Sequence, residues 1–198
     1  TLAEVEDIYR PYKQKKKTRA TVAKAKGLEP LAKIIIEHKE TRDINEIAKD
    51  FINIDSLSDE DKKNKDKVVA NEQDAICGAL DIIAENVSDN AKYRKEIKRL
   101  CYREGLVVTK ASKTEEKSNY EMYYDYSEAI KFIPSHRILA INRGEKEEFI
   151  KVKLEKPEEK ILLYIEKDVI KGETQFSNML RNTILDSFKR LIEPSIDR

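Results

Sequence analysis

Six basic side chains, Arg10, Lys13, Lys15, Lys16, Lys17 and Arg19, fall within the eleven residues from Tyr9 to Arg19. Pro11 interrupts the apolar period before them, so the run reads as a loop. Lysines and arginines crowded on a loop ahead of a helix start are well placed to neutralise phosphate oxygens. Tyr9 and Tyr12 flank the run and offer faces on which bases stack. The chemistry this pattern suits is sequence-independent contact with a nucleic-acid backbone. A charge run of this kind is equally what a solvated surface loop looks like, and the residues alone leave both readings open.

The second group is Pro134-Ser135-His136-Arg137, followed by Arg143. Ser135 beside His136 invites a nucleophile-and-base reading. Adjacent helical residues point in different directions, however, and no carboxylate can be assigned to orient the imidazole, so triad logic fails. Ser135 reads instead as a helix N-cap, with His136, Arg137 and Arg143 in structural hydrogen bonds or in contact with a neighbouring domain. Glu145, Glu147 and Glu148 read as a solvated face. There is no phosphate-binding glycine loop, dinucleotide fingerprint or Cys/His cluster, so no catalytic residue, cofactor or metal is expected.

Positioning these groups falls to a mainly α fold. Lys plus Arg (39) nearly cancels Asp plus Glu (38), so attraction for a polyanion has to be local. Gly and Pro are scarce at five each and Trp is absent, a profile suited to helices. Cys77 and Cys101 are too few for a disulfide framework and read as reduced core thiols in a cytoplasmic protein. No apolar run approaches the length of a membrane span.

Thr1 and Glu4 fit a capping box for a short helix ending at Pro11. Thr18 caps a helix running to Lys26; Gly27 stops it, Leu28 folds back, and Pro30 opens the next helix through His38, making a helix-turn-helix-like element. Its outer face offers few base-reading side chains, which argues against sequence-specific DNA reading. Asp43 starts another helix. Residues 55–67 form a charged connector without apolar period. Two long helices, about 71–87 and 89–103, are expected to pair antiparallel. Leu106–Thr109 and Ile150–Leu154 read as short strands, so a small sheet is the most β structure expected. Tyr120, Tyr123, Tyr124 and Tyr126 read as half-buried core. Helices are further expected over about 135–144, 158–170 and 173–193. The domain reading is an N-terminal helical segment (1–55), a connector (56–70) and a helical core (71–198).

The run D-I-Y-R-P-Y-K-Q-K-K-K-T-R with G-L-E-P-L-A, and D-Y-S-E-A-I-K-F-I-P-S-H-R continuing into R-G-E, resemble the hallmarks of the bacterial Tex family of transcription accessory proteins. The match covers most of the chain and weakens over 55–67 and 155–172. The resemblance implies the N-terminal helical region of a longer protein that also carries an RNase H-type domain, helix-hairpin-helix elements and a C-terminal OB-fold RNA-binding domain. It implies a non-enzymatic role in nucleic-acid binding, RNA favoured and DNA possible. Partners would be other domains of the parent protein and the transcription machinery. The alternative is a protein-docking module without nucleic-acid contact.

Overall fold

The computed structural model describes residues 2–13, 16–54, 64, 66–112 and 118–197, with side chains from Val5 onward. Lys15, Thr1 with its expected capping box, and most of the charged connector lie outside the described residues. The architecture is mainly α with one three-stranded antiparallel sheet. The chain forms two compact units, residues 1–94 with 162–196, and residues 95–161 with Asp197.

The first unit is built around helix α5 (Glu72–Asp89), capped by Asn71, whose side chain accepts the Asp74 N–H. Around α5 pack α2 (Arg19–Ala25), α3 (Glu29–Glu37), α4 (Ile44–Lys49) and a later helix, α9 (Ser177–Ser187). Its apolar series, Ile76, Ala79, Ile83 and Val87, meets Leu28, Leu31 and Ile35 from the α2–α3 pair and Phe176, Leu180 and Ile184 from α9 in one buried core. The turn between α2 and α3 closes as expected. Gly27 takes φ +79, its N–H reaches Lys24 O, and the Leu28 N–H reaches Ala23 O, which together make a Schellman stop. Leu28 is then fully buried against Gly78 of α5, where an added Cβ would stand 2.4 Å from Leu28 Cδ1.

Helix α1 (Leu2–Tyr9) leads into a single 3₁₀ turn, Arg10–Tyr12, as Pro11 demands. Helix α6 (Ala91–Glu104) follows α5 after Asn90 alone. The expected antiparallel pairing of these helices is therefore not formed, because one residue cannot make the two-to-five-residue turn of an αα-hairpin. Cys101 is buried, but Cys77 lies on the exposed side of α5, so only one of the two expected core thiols is in the core.

In the second unit β1 (Leu106–Ala111) is central, flanked by β2 (Asp125–Ala129) and β3 (Ile150–Glu155) in the order β2-β1-β3. Thr109 pairs with Tyr126 on one side and Val152 on the other. Helix α7 (Ser135–Lys146) covers this sheet, and Tyr120, Tyr123, Ile133, Ile141 and Ile150 form the core. Tyr124 and Tyr126 pack against it, so the tyrosines are core and half-core as expected. Gly144 of α7 admits Tyr120 Cδ1 and Ile150, which an added Cβ would meet at 3.0 and 3.1 Å. Helix α8 (Glu158–Val169) continues from β3. After α9 come a π-helical turn (Phe188–Ile192) and α10 (Glu193–Ile196). The expected start of that last helical stretch at Glu173 moves to Ser177, because residues before it turn, with the Thr174 N–H donating to Ser177 Oγ.

Candidate nucleic-acid interface

The basic run leaves α1 with its first member already committed. Arg10 Nε donates to Asp89 Oδ1 at 3.2 Å at the end of α5. Beside it, Arg94 is 3% exposed and donates to Asp7 Oδ1 at 2.7 Å and to Ser195 Oγ at 2.7 Å. These contacts fix the polar side of α1 to α5, α6 and α10 within the first unit. At the other end of the run, Lys17 forms an ion pair with Asp66. The Thr18 hydroxyl donates to Glu85 Oε1 at 3.0 Å. Thr18 caps α2 with Thr21, each side chain accepting the other's backbone N–H at 3.0 and 2.8 Å. Those two N–H groups are thereby occupied within the cap.

Arg19, the first residue of α2, is exposed and acts electrostatically on Asp81 of α5, whose carboxyl burial pushes above its ordinary value. A groove of about 690 Å³ between α2 and α5 holds Lys17, Arg19 and Lys26 on one side and Asp74 and Asp81 on the other. Its mixed charge does not suit a polyanion. Lys13 and Lys16 differ from their neighbours. Both are exposed, and neither forms an ion pair among the described residues.

In the second unit Arg137 stands at the first turn of α7 and donates through Nη1 to both Glu128 carboxylate oxygens, at 3.0 and 2.9 Å, and to the Tyr126 hydroxyl at 3.2 Å. The Tyr126 hydroxyl itself donates to Glu128. Tyr126 and Glu128 lie two residues apart on β2 and so share a face. The hydrogen bonds from Tyr126 and Arg137 hold the Glu128 carboxyl below its ordinary value. Ser135 does not cap α7. The cap position is Pro134, in extended conformation with no side-chain cap bond, and Ser135 is already the exposed first helical residue. His136 is exposed and meets Glu128 only through charge. Arg143 is exposed in the last turn, where a cation opposes the negative helix end. Among the described residues no group of three or more His, Cys, Asp or Glu side chains could hold a metal ion. No described helix is long and apolar enough to cross a membrane.

Residues 39–186 match the family described as Tex central region-like. The chain belongs to the Tex family. It is 45% identical over its whole length to the uncharacterized protein YdcI of Bacillus subtilis, of which it spans 26%. It is 31% identical to Protein tex of Bordetella pertussis over 78% of this chain and 18% of that protein. The human S1 RNA-binding domain-containing protein 1 is 27% identical over 100% of this chain and 20% of its own length. The chain thus spans about a quarter or less of these relatives.

Within this Tex chain the Pro-Ser-His-Arg segment lies inside the matched region, and the basic run precedes it. The structure brings Arg137 of that segment to Tyr126 and Glu128 of the preceding D-Y-S-E, leaving His136 and Arg143 at the surface. It holds Arg10 and Lys17 in ion pairs, leaves Lys13 and Lys16 exposed, and puts Arg19 in one groove with Asp81. Sequence reasoning missed Asp66, Asp89 and Glu85 as the acids that fasten the run, and Glu128 as the partner of Arg137. Acidic residues are so abundant here that none carries a local signal. The i, i+2 spacing of Tyr126 and Glu128 was the one available hint, and it pointed to a strand that the tyrosine spacing obscured.

Proposed function

We propose that this Tex chain is a non-enzymatic, nucleic-acid-binding part of a transcription accessory protein, touching the backbone of RNA, or of DNA, through its basic run. The observation that carries the reading is the pair of exposed lysines, Lys13 and Lys16, which form no ion pair among the described residues, beside the contacts of Arg10 and Thr18. Such contacts hold the positive charge in place before binding, which lowers the ordering cost of association. Names among the relatives, a transcriptional accessory protein Tex and an S1 RNA-binding domain-containing protein, agree with such a role. Other domains of the parent protein would supply the tighter contacts, each raising the other's occupancy through tethering.

The test is a salt series of binding to single- and double-stranded RNA and DNA. Lys13→Glu with Lys16→Glu is expected to flatten the log–log salt slope by roughly one unit per lost phosphate contact. Lys17→Glu is expected to do less, because Lys17 is already paired with Asp66. An unchanged slope in the double variant refutes the reading. The alternative, docking to protein without nucleic-acid contact, draws on the second unit. There Phe132, just before α7, and Leu139, on it, are 72% and 69% exposed, with Ile138 also exposed.

A further inference from the structure

Helix α1 is attached the wrong way round for an ordinary surface helix. Its polar residue Asp7 faces inward to the buried Arg94, and the following Arg10 faces Asp89. The residues at the i, i+3, i+4 and i+7 positions, Val5, Ile8, Tyr9 and Tyr12, form the outward stripe and are 61, 64, 59 and 78% exposed. Amphipathic helices normally bury such a stripe. Neither tyrosine hydroxyl has a hydrogen-bond partner among the described residues, so nothing there turns the rings inward.

We propose that Tyr9 and Tyr12 are a base-stacking platform for single-stranded nucleic acid, with Lys13 and Lys16 on its phosphates. This rests on the phosphate-binding reading of the basic run. Tyr9 ends α1 and Tyr12 ends the 3₁₀ turn. The two tyrosines therefore bracket the 3₁₀ turn, both with their rings exposed. Two exposed rings on either side of one turn offer separate faces on which bases of a single strand can stack. A duplex keeps its base faces stacked inside and offers them to neither ring, so the platform selects single strands.

Charge complementarity favours a polyanion over an apolar protein as the occupant. An apolar partner could cover Val5, Ile8 and the rings, but it would bring no anion of its own to the exposed Lys13 and Lys16. A single strand satisfies both, because bases take the rings and phosphates take the lysines.

The chain has no Trp, so Tyr12→Trp places one indole at the platform. Titration with a short unstructured oligo(rA) strand is expected to quench its emission, and a duplex of equal length is not. Tyr9→Ala and Tyr12→Ala are each expected to weaken single-strand binding about fivefold or more, with the salt slope and duplex affinity unchanged. The corresponding Phe variants are expected to restore binding, because the ring is retained. Unchanged single-strand affinity in the Ala variants, with a salt slope still present, overturns the platform and leaves the phosphate reading standing. Absence of any salt-dependent binding by the unsubstituted chain overturns both. Unchanged affinity together with an indole emission that shifts to the blue as protein concentration rises overturns the platform in favour of an apolar protein contact.

Discussion

Replacing Arg94 by Ala is expected to be the most damaging single change in the first unit. Its guanidinium is 3% exposed and holds Asp7 of α1 and Ser195 of α10 at once, both at 2.7 Å. Its removal takes this ion pair from the Asp7 carboxylate, whose side chain is only 12% exposed. Breaking a buried pair by deleting one partner costs about 3–5 kcal/mol, since the remaining charge stays desolvated. For a chain of this size about 1 kcal/mol moves the melting temperature by roughly 2–4 °C, so thermal denaturation followed by circular dichroism should fall by about 6–20 °C. Part of the loss is local, because α1 can detach and hydrate Asp7. Hydrogen exchange should therefore show α1 opening ahead of α5. The companion variant Asp7→Leu with Arg94→Met removes both charges and is expected to recover most of the loss, as apolar replacements of buried pairs do. A drop of less than about 2 °C in Arg94→Ala, or a double variant no better than the single one, would refute the assignment of this pair as the anchor of α1.

Gly78→Ala puts helix propensity against packing. The substitution gains about 1 kcal/mol of propensity in an open helix, yet its Cβ would meet Leu28 Cδ1 at 2.4 Å and Ala23 Cβ at 3.3 Å. Overpacking of about 1–3 kcal/mol makes the net effect neutral to destabilising by chemical denaturation, and a stabilised variant would contradict the contact. Glu128 carries a carboxyl pKa lowered by Tyr126 and Arg137; its stabilisation is complete above the ordinary carboxylate value near 4 and is lost as pH falls through the lower folded value. Glu128→Gln should therefore flatten the acid side of the stability–pH curve, and an identical curve would count against the network. His136→Ala should leave the melting temperature within the range of surface substitutions, about ±0.5 kcal/mol, because the imidazole is exposed; a larger loss would show a contact that the structure does not contain.

Local signals with a covalent or steric cause were legible in the sequence. Gly27 and Leu28 had to close the α2 helix, because a positive φ and a following apolar residue leave few alternatives, and they close it as a Schellman stop. Thr18 caps α2 as its type suggests, and β1 and β3 are strands, β1 read from its β-branched run and β3 from its alternation. The strand β2 was hidden because Tyr120, Tyr123 and Tyr124 mimic a helical spacing, while the period-2 signal of Tyr126 and Glu128 covers only one repeat. The cap of α7 was misplaced by one residue. Pro134 and Ser135 both suit a helix entrance, and only the backbone decides which one stands outside it.

The basic run shows why charge counting along a sequence overestimates a binding surface. Six cations within eleven residues suggest six phosphate contacts, but a chain of net charge +1 with 38 acidic residues must place many of them next to cations once it folds. Which cations are consumed depends on tertiary partners far along the chain, such as Asp66 for Lys17 and Asp89 for Arg10. Those ion pairs are not wasted for binding. An exposed pair contributes little stability, but a part-buried one such as Arg10–Asp89 fixes where its neighbours point. The fold thus divides one run of like residues: Arg10, with the Thr18 hydroxyl, holds the segment, Lys17 is paired with Asp66, and Lys13 and Lys16 are left to meet a ligand. Reversing that division offers the sharpest test of it. Asp66→Asn should free Lys17 and add to the salt slope of nucleic-acid binding by up to about one unit, whereas a slope unmoved by the release would mean that Lys17 does not face the bound strand.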